Sequence, residues 1–293
     1  MNFPVACIGV GNMGGAMAAR LLEQGWPVRV RDLDPGREQA LAARGADVGA
    51  TPAEAVRGAA ALIVCVVDAA QSDEVLFGPQ GAAAALAPGA DVLLTPTIAP
   101  ADVERIAARL AESGIGCIDA PMSGGPARAR DGSMSLMLAC PGAVFERRRA
   151  LIEALSSKLF RIGERPGDGA RTKLVNNLLA GINLVGAAEA LALAQRLGLD
   201  PASTLAVIEQ SSGQSWIGSD RMRRAIAGDY APRAHLALLR KDTRLAMEAA
   251  AAAGFDGPLG AGARDTFAAA ARAGLDGLDD AALFLWLSEQ AGG

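Results

Sequence analysis

The N-terminal segment places a glycine-rich turn between a strand and a helix, and few folds accept that order. Residues 4–25 read PVACIGVGNMGGAMAARLLEQG. An apolar run that starts at Val5 ends in Gly9-Val10-Gly11-Asn12-Met13-Gly14, and a helical apolar pattern (Met17, Ala18, Leu21, Leu22) follows at once. Glycine at 9 allows a tight turn, at 11 a close backbone approach to a pyrophosphate, and at 14 close packing of helix on strand. The helix start then offers unpaired N–H groups and partial positive charge to phosphates. In a chain with 35 glycines the spacing alone says little; the context gives it weight. Val28-Arg29-Val30-Arg31 reads as a second strand and ends at Asp32, 18 residues after Gly14. An acid there bonds the ribose 2′-hydroxyl of NAD. Arg31 and Arg37 stand close enough in sequence to meet a 2′-phosphate, so NADP stays open. The bland alternative is a glycine turn in which Asp32, or Asp34 before Pro35, caps a helix.

Short apolar runs and helical patterns go on alternating through the first half. Thr51-Pro52-Ala53-Glu54 is a capping box with proline at the first helical position. Strands are expected at Leu62–Val67, Val92–Leu94, Ile115–Asp119, Met134–Ala139 and Leu159–Ile162. Helices are expected from about Pro100 to Ser113 and near 142–155. This alternation implies a mainly parallel sheet covered on both faces. After Gly163-Glu164-Arg165-Pro166-Gly167 the strand signals stop. A long apolar-periodic segment runs from about Gly169 to Leu197, and further helices fit 201–210, 219–227, 233–253, 260–273 and 279–290. The expected fold is therefore a doubly wound parallel α/β sheet of Rossmann type over residues 1–163. An all-α domain for substrate and dimerisation follows over 164–293, with a ligand cleft between the two.

At 293 residues there is chain enough for two cores. The net charge of −4 and the lack of a basic-aromatic stretch point away from nucleic acid. The apolar run Ala59–Val67 is too short to span a membrane. No basic region precedes the first apolar stretch, so a signal peptide is not expected. Cys7, Cys65, Cys117 and Cys140 are scattered, there is no C-x-x-C, and His235 is the single histidine. Neither a disulfide framework nor a metal site is read, and the cytoplasm is the default compartment.

Lysine is scarce. Of 28 basic residues only Lys158, Lys173 and Lys241 are lysines. An amine can give up its proton when desolvated, and a guanidinium effectively cannot. Lys173 and Asn177 lie four apart near the start of the long helix and share a face. A lysine in the first turns of a helix feels the positive dipole end, and burial in a cleft acts in the same direction. Both favour the neutral amine that a general base requires. A solvent-facing lysine and asparagine on an exposed helix is the alternative. Ser123-Gly124-Gly125 follows a strand end, where two glycine N–H groups and a hydroxyl suit a carboxylate, or simply form a turn. Lys241-Asp242 sits in a helical run. Adjacent positions diverge, so no contact pair is expected, and solvated charges are the plain reading. Lys158 reads as surface, and His235 has no carboxylate partner nearby in sequence. Trp216 reads either as a wall of the substrate site or as helix packing.

Together these segments resemble the β-hydroxyacid dehydrogenase family over nearly the whole chain, with several stretches closest to its L-threonate dehydrogenase branch. The family's Gly-x-Gly-x-Met-Gly turn appears at 9–14, and Asp-Ala-Pro-x-Ser-Gly-Gly at 119–125. Lys-x-x-x-Asn falls on Lys173 and Asn177, and Lys-Asp on 241–242. Branch-like stretches are Val67-Asp68-Ala69-Ala70-Gln71, Ser212-Gly213-Gln214-Ser215-Trp216 and Gly228-Asp229-Tyr230-Ala231-Pro232. The resemblance implies Lys173 as general acid/base with Asn177 assisting. It gives the substrate carboxylate to Ser123, Gly124 and Gly125, with Trp216 in the substrate site. Cofactor contacts are implied at Gly9, Gly11, Asn12, Met13, Gly14, Asp32, Val67, Asp68, Thr97 and Lys241. The chain departs from the family at Thr95-Pro96-Thr97, where Cys-Ser-Thr is common, and at Val67-Asp68, where Leu-Pro is common. The implied activity is hydride transfer between NAD and the hydroxyl-bearing carbon of a small hydroxy acid, either 3-hydroxyisobutyrate-like or a four-carbon sugar acid such as threonate. The expected partners are that carboxylate and a second copy of the chain, as homodimer or homotetramer. An imine reductase and a non-catalytic dinucleotide-binding protein are the competing readings. The first would have no use for a carboxylate clamp, and the second no use for Lys173.

Overall fold

The computed structural model describes residues 2–290. The chain forms two compact units, one up to Lys173 and one from Leu174 onward. The first contains β1 (Val5–Ile8), α1 (Asn12–Glu23), β2 (Val28–Arg31), α2 (Pro35–Ala42), β3 (Asp47–Val48), α3 (Pro52–Ala55), β4 (Ala61–Val64), α4 (Ala69–Phe77), β5 (Asp91–Leu94), α5 (Pro100–Ala111), β6 (Gly116–Asp119), β7 (Met122–Ser123), α6 (Gly125–Asp131), β8 (Ser135–Ala139), α7 (Gly142–Leu155), β9 (Lys158–Gly163) and the start of α8 (Asp168–Arg196). The strands make one sheet in the order β3-β2-β1-β4-β5-β6-β8-β7, with β9 on β8. Strands β1 to β6 run parallel. β8 is antiparallel to β6 and β7, and β9 runs parallel to β8. The mainly parallel sheet read from the sequence is present, and the strand order reverses between β1 and β4, where such sheets bind ligands.

Residue alternation explains the two layers. Val5 and Cys7 of β1 point into a core shared with Met17, Ala18 and Leu21 of α1 and Leu151 and Ile152 of α7. Ala6 and Ile8 point the other way, toward Leu62, Val64, Val92 and Leu94 and the α5 stripe Val103, Ile106 and Leu110. A strand buried on both faces reads as a continuous apolar run, as these do. Proline opens α2, α3 and α5, where its missing N–H costs nothing. Thr51 caps α3 by accepting from Glu54 N–H at 3.1 Å. The Glu54 carboxylate reaches back to Ala50 N–H at 3.0 Å, one residue beyond the usual box partner, Thr51.

The second unit holds the remainder of α8 and then α9 (Pro201–Glu209), α10 (Trp216–Ile226), α11 (Leu236–Ala252), α12 (Pro258–Arg272) and α13 (Leu283–Gln290). Among its described residues the regular structure is helical, as read from the sequence, apart from one isolated bridge between His235 and Asp279. Leu184, Ala188 and Leu191 of α8 join Met222, Leu239 and Phe267 in its core. By length and composition α8 is apolar enough to cross a membrane; 39% of its most apolar stretch is buried inside the chain.

Candidate functional site

The glycine turn is held from below. Gly9 has φ +84°, and a Cβ there would lie 2.4 Å from Cys65 O. A Cβ on Gly14 would lie 1.9 Å from Gly9 O. The fold itself therefore demands glycine at 9 and 14. Gly11 is different. Its φ of −65° suits any L-residue, and a Cβ would meet only the Arg37 guanidinium, at 3.2 Å. Among the described residues only that flexible guanidinium approaches a Cβ at 11, and a pyrophosphate lying against the turn would account for a bare backbone there. Helix α1 has no side-chain cap at its N-terminus, so the first N–H groups, at exposed Asn12 and half-buried Met13, have no side-chain acceptor. Asp32, at the end of β2, accepts from Val10 N–H at 2.7 Å through one oxygen and from Asp34 N–H at 2.9 Å through the other. Each carboxylate oxygen has a second lone pair for a ribose hydroxyl. Asp34, not Asp32, caps α2, accepting from Gly36 N–H at 2.9 Å. The residues present thus fit a dinucleotide.

Asp68 caps α4, accepting from Gln71 N–H at 2.9 Å, and Val67 beside it is 46% exposed. Thr97 is half-buried after β5. Ser123 lies in β7 paired with Ser135. Gly124 and Gly125 follow with φ +132° and +77°. These angles make the turn require glycine whatever binds there.

Lys173 is buried, 7% exposed, in the second turn of α8. The seat of that helix is Asp119, the last residue of β6. Its Oδ2 accepts from Gly167 N–H at 2.8 Å and Ala170 N–H at 3.0 Å. Gly169 permits the approach, since a Cβ there would fall 2.9 Å from Asp119 Cγ. Desolvation raises the Asp119 carboxyl to about 6, against the opposing pull of the N–H groups. The folded state therefore holds this proton more tightly than the unfolded chain does. The contribution to stability is complete below about pH 4 and is lost as pH rises through 6, by on the order of 3 kcal/mol. Thermal melts from pH 4 to 8 should show the wild type losing ground against Asp119→Asn across that window. A constant difference between the two would contradict the assignment.

In the second unit, Asn177, one turn along α8 from Lys173, donates from Nδ2 to Asp242 Oδ2 at 2.6 Å and accepts from Asn176 Nδ2 at 2.9 Å. Lys241 Nζ lies 2.9 Å from Asp242 Oδ1. This corrects the expectation that Lys241 and Asp242 form no contact pair and are solvated. Asp242 is buried, and the flexible lysine stem curls back over its carboxylate. The approach of α11 to α8 depends on Gly181, where a Cβ would lie 2.6 Å from Thr243 Cγ2. Sequence reasoning missed Asp242 as the hub because its partner Asn177 is 65 residues away. Trp216 opens α10 and is 49% exposed. His235, exposed, meets Gly277 O at 3.1 Å. Lys158 is exposed. Arg221 is paired with Asp280 at 2.5 Å.

Known proteins carry the same plan. Residues 4–163 match the family model for the NAD binding domain of 6-phosphogluconate dehydrogenase. Residues 167–287 match that for the NAD-binding region of NADP-dependent 3-hydroxyisobutyrate dehydrogenase. An L-threonate dehydrogenase of Cupriavidus necator is 38% identical over 97% of this chain and 95% of its own length. A 3-hydroxyisobutyrate dehydrogenase of Pseudomonas aeruginosa is 37% identical over 94% and 95%. The crystal structure of a 3-hydroxyisobutyrate dehydrogenase from Salmonella typhimurium superposes with a TM-score of 0.91 at 36% identity, covering 97% of this chain and 99% of that one. With the glycine turn, the Asp32 acceptor and the helical second unit in place, the chain belongs to the β-hydroxyacid dehydrogenase family and is an NAD(P)-dependent oxidoreductase of that family.

Proposed function

We propose that this enzyme oxidises a small hydroxy acid, threonate-like or 3-hydroxyisobutyrate-like, with Lys173 as the group that moves the proton. NAD, held by Gly9, Gly11, Gly14 and Asp32, would supply the acceptor for the hydride of the hydroxyl-bearing carbon. Lys173 accepts the hydroxyl proton on Nζ in that direction and returns it to the oxygen in reverse. Ser123, Gly124 and Gly125 receive the carboxylate, Asn177 orients the reacting oxygen, and Trp216 and Thr97 line substrate and cofactor. The observation that carries this reading is the seat of α8. Asp119 opens the Ser-Gly-Gly segment and also binds the N-terminus of the helix bearing Lys173. One strand end thus carries both the seat of the Lys173 helix and the start of the candidate acid clamp, which supports the pairing of the two roles. Asp32, its oxygens already aligned by Val10 and Asp34 N–H groups, supports NAD over NADP.

The cytoplasm is the proposed compartment, supported by four free cysteines. A homodimer or homotetramer is proposed from the apolar stripe of Val175, Leu179 and Leu193 on α8 and Leu197 just past its end, each more than half exposed. The test of function is a panel of small hydroxy acids with NAD and NADP, followed by NADH absorbance. Turnover of a threonate-like or hydroxyisobutyrate-like acid is expected. Reduction of cyclic imines with NADPH in place of acid turnover would favour imine reduction instead. Tight NADH binding with no turnover would favour a non-catalytic binder.

A further inference from the structure

Beside the cofactor turn lies a charge cluster that the proposed chemistry does not use. Glu38 of α2 is buried, 8% exposed. Its Oε1 accepts from Asp32 N–H at 2.9 Å and from Arg31 Nη1 at 2.8 Å. Arg37 is paired in turn with Asp32 at 3.7 Å and Asp34 at 3.3 Å. It lines an open hollow together with Gly11 and Asn12. Both arginines able to meet a 2′-phosphate are therefore already engaged, two of them against three carboxylates. Asp32 supplies the acceptor for a ribose hydroxyl. Glu38 neutralises the one cation that sits on the same strand end.

We propose that Glu38 is a second determinant of dinucleotide selectivity, which disfavours a 2′-phosphate by holding Arg31 in an ion pair while it fixes the Asp32 backbone. This rests on the reading that Asp32 sets an NAD preference. A hydroxyl is indifferent to the net charge of this cluster, whereas a dianionic phosphate is not. Removing the charge of Glu38 frees Arg31, and removing Arg31 leaves Glu38 unpaired. The two changes push NADPH affinity in opposite directions.

Isothermal titration of the full chain with NADH and with NADPH, at one fixed ionic strength, tests this. Glu38→Gln keeps a carbonyl acceptor for Asp32 N–H. It is expected to tighten NADPH binding about tenfold, equivalent to ~1.4 kcal/mol, with the NADH Kd within threefold of wild type. Arg31→Gln, which does not depend on Glu38→Gln folding well, is expected to weaken NADPH binding by several-fold relative to NADH. The double variant Arg31→Gln/Glu38→Gln should return the NADPH-to-NADH ratio toward wild type. Ratios within twofold of wild type in both single variants would overturn the role of Glu38, as would parallel loss of both nucleotides in Glu38→Gln. Equal wild-type affinity for the two nucleotides would instead overturn the NAD preference, and the variant-to-wild-type ratios would still decide the role of Glu38.

Discussion

Lys173→Ala is expected to lower kcat by about 10²–10⁴-fold, the usual worth of a positioned acid/base, with the Kd for NADH close to wild type. The informative companion is Lys173→Arg. Arginine keeps the charge and at least the reach, with a bulkier head, but effectively cannot be deprotonated. If the side chain only packed or paired, arginine would restore much of the rate. If it carries the proton, arginine is as damaging as alanine. Steady-state rates on the best hydroxy acid, together with calorimetric NADH binding, separate these cases. A Lys173→Arg enzyme turning over within a few-fold of wild type would remove Lys173 from the proton path. The burial of Lys173 in the second turn of α8 makes either substitution a stability risk as well, so both variants should be compared at matched folded fraction.

Gly11→Ala and Gly14→Ala should part company sharply. At 14 the new methyl would fall 1.9 Å from the Gly9 carbonyl oxygen, a backbone atom that cannot move aside. The variant is expected to melt far below wild type or to be insoluble. At 11 the backbone angles suit alanine and the only neighbour is the flexible tip of Arg37. Gly11→Ala is expected to fold with stability within ~0.5 kcal/mol of wild type. It should lose NADH affinity by roughly 10–100-fold, as overpacking a fitted contact costs ~1–3 kcal/mol. Normal melting combined with normal NADH binding would mean that the pyrophosphate does not lie against residue 11.

The parts legible in the sequence share one property: their signal is local. A strand, glycine turn and helix lie within 20 consecutive residues, and α8 shows as one long, predominantly apolar segment. What stayed hidden depends on contacts between distant positions. Helix α2 has one large buried apolar residue, Leu41, and its other buried position is Glu38, so no hydrophobic period marked it. Asp242 looked like a surface charge because nothing near it in sequence explains a buried carboxylate. Its partner lies on another helix, brought close by the missing side chain of Gly181. Asp119 was visible as part of a motif, but its hold on Gly167 and Ala170 was not. The lysine pair followed the same rule in reverse: helical geometry correctly separates the backbone directions of 241 and 242, but a long flexible stem overcame it.

The double duty of Asp119 has an evolutionary corollary. On the proposed reading, the helix that bears Lys173 is seated at the first residue of the acid-binding segment, whereas the carboxylate itself is assigned further along, to Ser123, Gly124 and Gly125. Exchanges at Met122 or Ser123 would then retune which acid is accepted while Lys173 keeps its place. On this architecture, drift between one small acid and another needs no reinvention of the proton chemistry.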